Sequence, residues 1–265
     1  MSYSGSSAQR KLARGVEHVR TLQTEAEAFV DDGAYTFDTK YERRSAEELF
    51  CRCFSIQHTS PPDHWPLLAG EAIQNLRSAL DHAIWTAWRS VDENTGDGDH
   101  TQFVICDSAT DFKDARWHLK GVPESVWTIV EAAQPYKRWP DAPSLHPLSI
   151  LRVFSNADKH RALAVLPTVI DFEMVGVGTD VELKDWVIAT GKRLPEGTTE
   201  ISSFLAHRTT GGEINEMDVH PSFTYRVGIE YLRLETLRGI VSSVFSTLTE
   251  IETGEPPSPF AKYPL

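Results

Sequence analysis

MDVHPSFTYRVGIEYLRLETLRGIVSSVFSTLTEIE, residues 217–252, changes its period part-way along and so decides the fold class. The first half sets Met217, Val219, Pro221, Phe223, Tyr225, Val227 and Ile229 at every second position. Successive side chains of an extended chain point to opposite faces, so strict alternation predicts a strand with one face in a core. The second half sets Leu234, Leu237, Val241, Val244, Leu248 and Ile251 at steps of mostly three and four, which is one face of a helix. A stretch that supplies both periods in turn points to an α+β chain.

Upstream of it, 168–177, 181–189 and 201–208 read as strands, with Thr210-Gly211-Gly212-Glu213 as a turn. Nearer the N-terminus the chain is helical. Leu12, Val16, Val19, Leu22, Ala26 and Phe29 make an amphipathic helix over 8–30 that Asp31-Asp32-Gly33 ends. A β-hairpin is predicted over 35–57, and Ser60-Pro61-Pro62-Asp63 opens a long helix over 65–91. A polar loop at 92–100 leads to a short strand at 102–106, a brief helix over 112–119, and a helix running from Pro123 to about 133. Another helix is predicted over 148–160. The expected architecture is a helical bundle body, 1–163 with 230–252 and the hairpin 35–57 included. A β-rich insert at 164–229 and a Pro-rich tail at 253–265 complete it.

Charge and composition narrow the function classes. A net charge of −12 argues against a long groove for duplex DNA, because phosphate neutralisation by Lys and Arg supplies most of such affinity. No apolar run reaches the roughly 18 residues that crossing a bilayer requires. The three cysteines, Cys51, Cys53 and Cys106, are too few and odd in number for a disulfide framework. With no stretch of signal-peptide type, they point to a reducing, cytoplasmic setting. Walker, nucleophile-elbow and dinucleotide motifs are absent, as are HExxH and CxxC, so no cofactor and no metal are expected.

Two polar segments stand out, NLRSALDH (75–82) and NADKHR (156–161). At about 100° per residue, Glu71, Asn75, Ser78 and His82 share one face of the 65–91 helix, opposite an aliphatic stripe of Ile73, Leu76, Leu80 and Ile84. Arg77 and Asp81 are spaced to pair. In the second segment Asn156 and His160 are neighbours on one face, with Asp158, Lys159 and Arg161 beside them. Two Asn–His pairs facing one another across packed helices would make a polar pocket. Amides and imidazoles there could bind a small anionic or nucleotide-like ligand through Asn75, Asn156, Asp81, Asp158, Lys159 and Glu71. They could equally be a network that fixes helix register.

GEAIQNLRSALDHAIW (70–85) and SNADKHRAL (155–163) resemble a group of uncharacterised bacterial proteins, mainly actinobacterial, with the same two motifs in the same order. That resemblance implies the helical front, the strands and the closing helix, and implies no activity. Arg77-Ser78-Ala79-Leu80-Asp81-His82 is also similar to the Arg-x4-His motif of HEPN domains, helical bundles found in RNA-cleaving toxins. This second resemblance implies a homodimeric ribonuclease. In it His82 would transfer protons and Arg77 would stabilise charge on phosphate; a ribonuclease reading of both segments adds His160 as the second acid/base and Lys159 on phosphate. Three readings therefore stand at this level: a ligand-binding protein, a HEPN-like ribonuclease, and a non-catalytic structural or interaction protein.

Overall fold

The computed structural model describes residues 6–91, 98–159, 163, 165–174, 178–188, 197–229 and 232–256. Its elements in chain order are α1 (Ser7–Asp31), β1 (Tyr35–Arg43), β2 (Glu48–Gln57), α2 (Trp65–Arg89), α3 (Ala109–Ala115), α4 (Glu124–Ala132), α5 (Pro135–Arg138) and α6 (Pro147–Asp158). They continue with β3 (Val165–Met174), β4 (Val181–Ile188), β5 (Thr198–Arg208), β6 (Pro221–Ile229), β7 (Leu232–Arg233) and α7 (Thr236–Thr253). The α+β class is as expected. The chain divides into a helical unit, Met1–Gln23 with His64–Leu163 and Glu235–Leu265, and a β-rich unit, Thr24–Asp63 with Ala164–Leu234.

The helical unit is held by the apolar stripes already visible in the sequence. Leu12, Val16, Val19 and Leu22 of α1, Ile73, Leu76, Leu80 and Ile84 of α2, Leu148 and Leu151 of α6, and Ile240, Val244 and Leu248 of α7 are all buried. Burying each such side chain contributes on the order of 1.5–3 kcal/mol, far more than helix propensity does, so packing rather than intrinsic preference holds these helices. Gly15 lets α1 approach α2 closely: a Cβ there would stand 2.9 Å from Leu76 Cγ and 3.2 Å from the Ala72 carbonyl oxygen.

Pro147 occupies the first turn of α6, and the buried His146 caps that helix by accepting a hydrogen bond from Leu148 N at Nδ1 (3.2 Å). A protonated Nδ1 could not accept it. Burial, reinforced by the positive charge of Arg138 and opposed by Asp107, pushes the His146 pKa down to about 4. An unfolded histidine titrates near 6.5, so the unfolded state takes up a proton first as pH falls. The stability that neutral His146 provides is complete above about pH 6.5 and is lost as pH falls towards about 4, on the order of 3 kcal/mol in all. His146→Asn keeps a capping oxygen and has no proton to gain. In urea titrations it should lose clearly less stability than the parent between pH 7 and pH 4.5; equal losses would sink this account.

In the β-rich unit, β1, β2, β5 and β4 form an antiparallel sheet in that order, and β3, β6 and β7 form a second. One face of the first sheet buries Tyr35, Leu49, Cys51, Cys53, Phe204 and Ala206. Burial raises the thiols of Cys51 and Cys53 to about 12 and about 11, so they stay protonated and unreactive at neutral pH. The hairpin was expected within the helical body. It lies instead in the β-rich unit, because β2 pairs with β5 from Glu48 to Ile56, a partner far along the chain.

Three boundaries also differ. The alternation from 217 is interrupted by a 3-10 turn at Glu216–Asp218, where the Asp218 carboxylate accepts from Asn215 N (2.7 Å). Met217 is 80% exposed there, and the strand begins at Pro221. The last helix begins at Thr236 rather than 230, after the short strand β7. The predicted strand at 102–106 is buried and irregular, and pairs with no strand among the described residues.

Candidate functional site

A buried segment without a ladder must satisfy its backbone some other way, because an unpaired N–H or C=O costs about 1–3 kcal/mol. Here side chains do so. Arg77 donates to the Phe103 carbonyl (2.5 Å), and Asp81 accepts from Phe103 N (2.9 Å). Gln134, fully buried, donates to the Val104 carbonyl (2.9 Å) and accepts from Cys106 N (2.8 Å). Arg152 of α6 reaches the Ile105 carbonyl (3.3 Å) and also pairs with Asp107, which accepts from Ser149 as well. Side chains from α2, from α6 and from the turn before α5 thus replace a neighbouring strand.

This geometry explains one polar line along α2. Gly70, Gln74, Arg77 and Asp81 fall within about 60° of one another around the helix. Arg77 and Asp81 form the expected pair, with Nη2 to Oδ1 at 2.9 Å, and both hold Phe103. Lower on the line, Gln74 donates to the Ser155 carbonyl (3.1 Å) and to Asp158 (3.2 Å). A Cβ added at Gly70 would collide with the Asp158 carboxylate, so any larger residue there would push that side chain out of its place against α2.

The second polar line faces α1. Ser7 Oγ lies 2.6 Å from His82 Nδ1, Lys11 donates to Asn75 Oδ1 (3.4 Å), and Asn75 donates to the Glu71 carbonyl (2.8 Å). Glu71 lies 3.2 Å from Nε2 of the buried His18. Burial, with the charge of Arg14, lowers the His18 pKa against the opposing pull of Glu71 and Glu17, so the ring is neutral near pH 7 and this contact is not an ion pair there.

The residues singled out on sequence are therefore divided. Arg77 and Asp81 meet, and Asp158 reaches α2 through Gly70 and Gln74. Asn75, His82 and Glu71 turn to α1 instead of α6. Asn156 and Lys159 are exposed at the end of α6, and His160 and Arg161 lie outside the described residues. Sequence reasoning missed Gln134, Arg152, Asp107 and Gln74. A glutamine directly before Pro135 and an aspartate directly after a buried run were the available signals.

Near the His82 end of α2 the helical unit has a half-open groove of about 770 Å3. Its polar lining is Ser6, Gln9, Thr86, Ser90, Ser125 and Glu252, and Ala83, Ala87, Val126 and Ile251 supply apolar wall. Ser7 and His82 each adjoin lining residues in sequence, so their hydrogen bond stands at the border of the groove. Among the described residues, no group of three or more His, Cys, Asp or Glu is placed to hold a metal, and no helix is long and apolar enough to cross a membrane. Comparison with protein-family models, curated proteins and solved structures finds no match for the chain.

Proposed function

We propose that the chain is a non-catalytic ligand-binding protein in which the two polar segments build the frame and the ligand lies in the groove beside them. The observation that carries this reading is the engagement of Arg77. Its guanidinium donates to Asp81 and to the Phe103 carbonyl at once. A ribonuclease role would require Arg77 to leave both partners, uncovering the buried backbone they satisfy, before it could meet a phosphate. The volume of about 770 Å3 is within the range usual for small-molecule sites. The groove suits an anion, the ligand expected on sequence, poorly, since its lining contains no Lys or Arg among the described residues.

The test sets the parent and His82→Ala against single-stranded and structured RNA, and follows the melting temperature of each. No cleavage above buffer is expected from either protein. Cleavage by the parent that disappears in His82→Ala at unchanged melting temperature would overturn the reading in favour of a ribonuclease.

A further inference from the structure

We propose that the groove takes small organic cations, primary amines carrying a short apolar body, with Glu252 as their counter-charge; this rests on the ligand-binding reading above. Four helix ends wall the groove: the first turn of α1, the last turns of α2, the first turn of α4 and the last turn of α7. Two N-terminal ends oppose two C-terminal ends, so their partial charges offset one another. The deciding charge is then Glu252, the one ionisable group in the lining among the described residues.

Glu252 is held in place. Oε1 accepts from Ser6 Oγ (2.6 Å) and Oε2 from Gln9 Nε2 (2.7 Å). Both donors are neutral, so they orient the carboxylate without cancelling its charge. A carboxylate accepts about four hydrogen bonds, which leaves room for an ammonium group. Hydroxyls of Thr86, Ser90 and Ser125 offer further acceptors, and Ala87, Val126 and Ile251 suit an alkyl or aryl body. The net charge of −12 adds a field that concentrates cations and repels anions.

Because Glu252 is exposed, its ion pair is worth little, and the preference for an amine over its neutral analogue should be up to about fivefold in Kd. The experiment titrates the full chain with benzylamine, benzyl alcohol and benzoate by ligand-observed NMR, and repeats this with Glu252→Gln, Thr86→Trp and Ser125→Trp. The last two substitutions add bulk to the groove from two different helices, α2 and α4, at exposed positions. The expected order is benzylamine over benzyl alcohol over benzoate. Glu252→Gln should erase the first difference, and both tryptophan variants should abolish binding. Equal binding of all three compounds, blocked by tryptophan, would keep the groove and reject the cation. Benzylamine binding that survives both tryptophans would reject the groove itself. No benzylamine binding to the parent would reject this ligand class, while the RNA test separately decides the non-catalytic reading.

Discussion

Gln134→Leu should lower the unfolding free energy by about 4 kcal/mol, read from urea titrations at neutral pH. Gln134 is fully buried and bridges Val104 O and Cys106 N, and its amide also donates to the Val130 carbonyl (2.8 Å). Leucine has similar bulk, so little cavity forms and the loss isolates the polar groups. The Cys106 amide and Val104 carbonyl would be left in an apolar interior, each costing about 1–3 kcal/mol. The added apolar surface offsets only part of this. A loss below about 1 kcal/mol would mean that water or a backbone shift satisfies the segment, and the proposed role of Gln134 would fall.

The second large effect belongs to Arg77 and Asp81. Arg77→Ala strands the Phe103 carbonyl and removes the partner of Asp81; Asp81→Ala strands Phe103 N and removes the partner of Arg77. Breaking one side of a well-buried pair costs about 3–5 kcal/mol. The side chains are 15% and 32% exposed, so the lower end is expected, about 3 kcal/mol for each single change. Because both act on the same residue, the double variant should cost at least about 1 kcal/mol less than the sum of the singles. Arg77→Lys should recover only part of the loss, since one ammonium cannot reproduce the fork that meets Asp81 and Phe103 together. Additive losses in the cycle would show that the two residues act independently, contrary to the geometry. A stable Arg77→Ala would point to an arginine reserved for a ligand.

Local periodicity made the helices and most of the strands legible, as well as the Arg77–Asp81 pair. What it could not supply was the identity of partners far along the chain. The alternation at 49–57 reveals a strand, but that β2 pairs with β5 depends on a match between distant segments. The run at 102–106 carries Phe103, Val104 and Ile105, residue types that suit a strand. Only the glutamine, arginines and aspartate that meet it in space reveal that side chains, and no strand among the described residues, satisfy it. At the candidate site, Asn75 and His82 were placed correctly on one face of α2, yet nothing local to them specified α1 as the neighbour. The place of the Asp158 carboxylate against α2 uses the space left at Gly70, whose contribution is the absence of a side chain, and a periodicity argument assigns glycine no face.

The division of the chain has a consequence for the order in which it is made. The β-rich unit has its final residue at Leu234, whereas the helical unit still needs the stretch that begins at Glu235 and contains α7. Domains generally fold as units while the chain is being synthesised. The unit that starts first is therefore the one that finishes last. Until α7 leaves the ribosome, the surfaces of α2, α4 and α6 that pack against it stay uncovered, while the nascent chain already holds every residue of the other unit. A nascent chain whose first 234 residues have emerged while α7 is still inside the ribosome would display every residue of the β-rich unit and an incomplete helical unit, whose uncovered surfaces are open to chaperones and proteases in that interval.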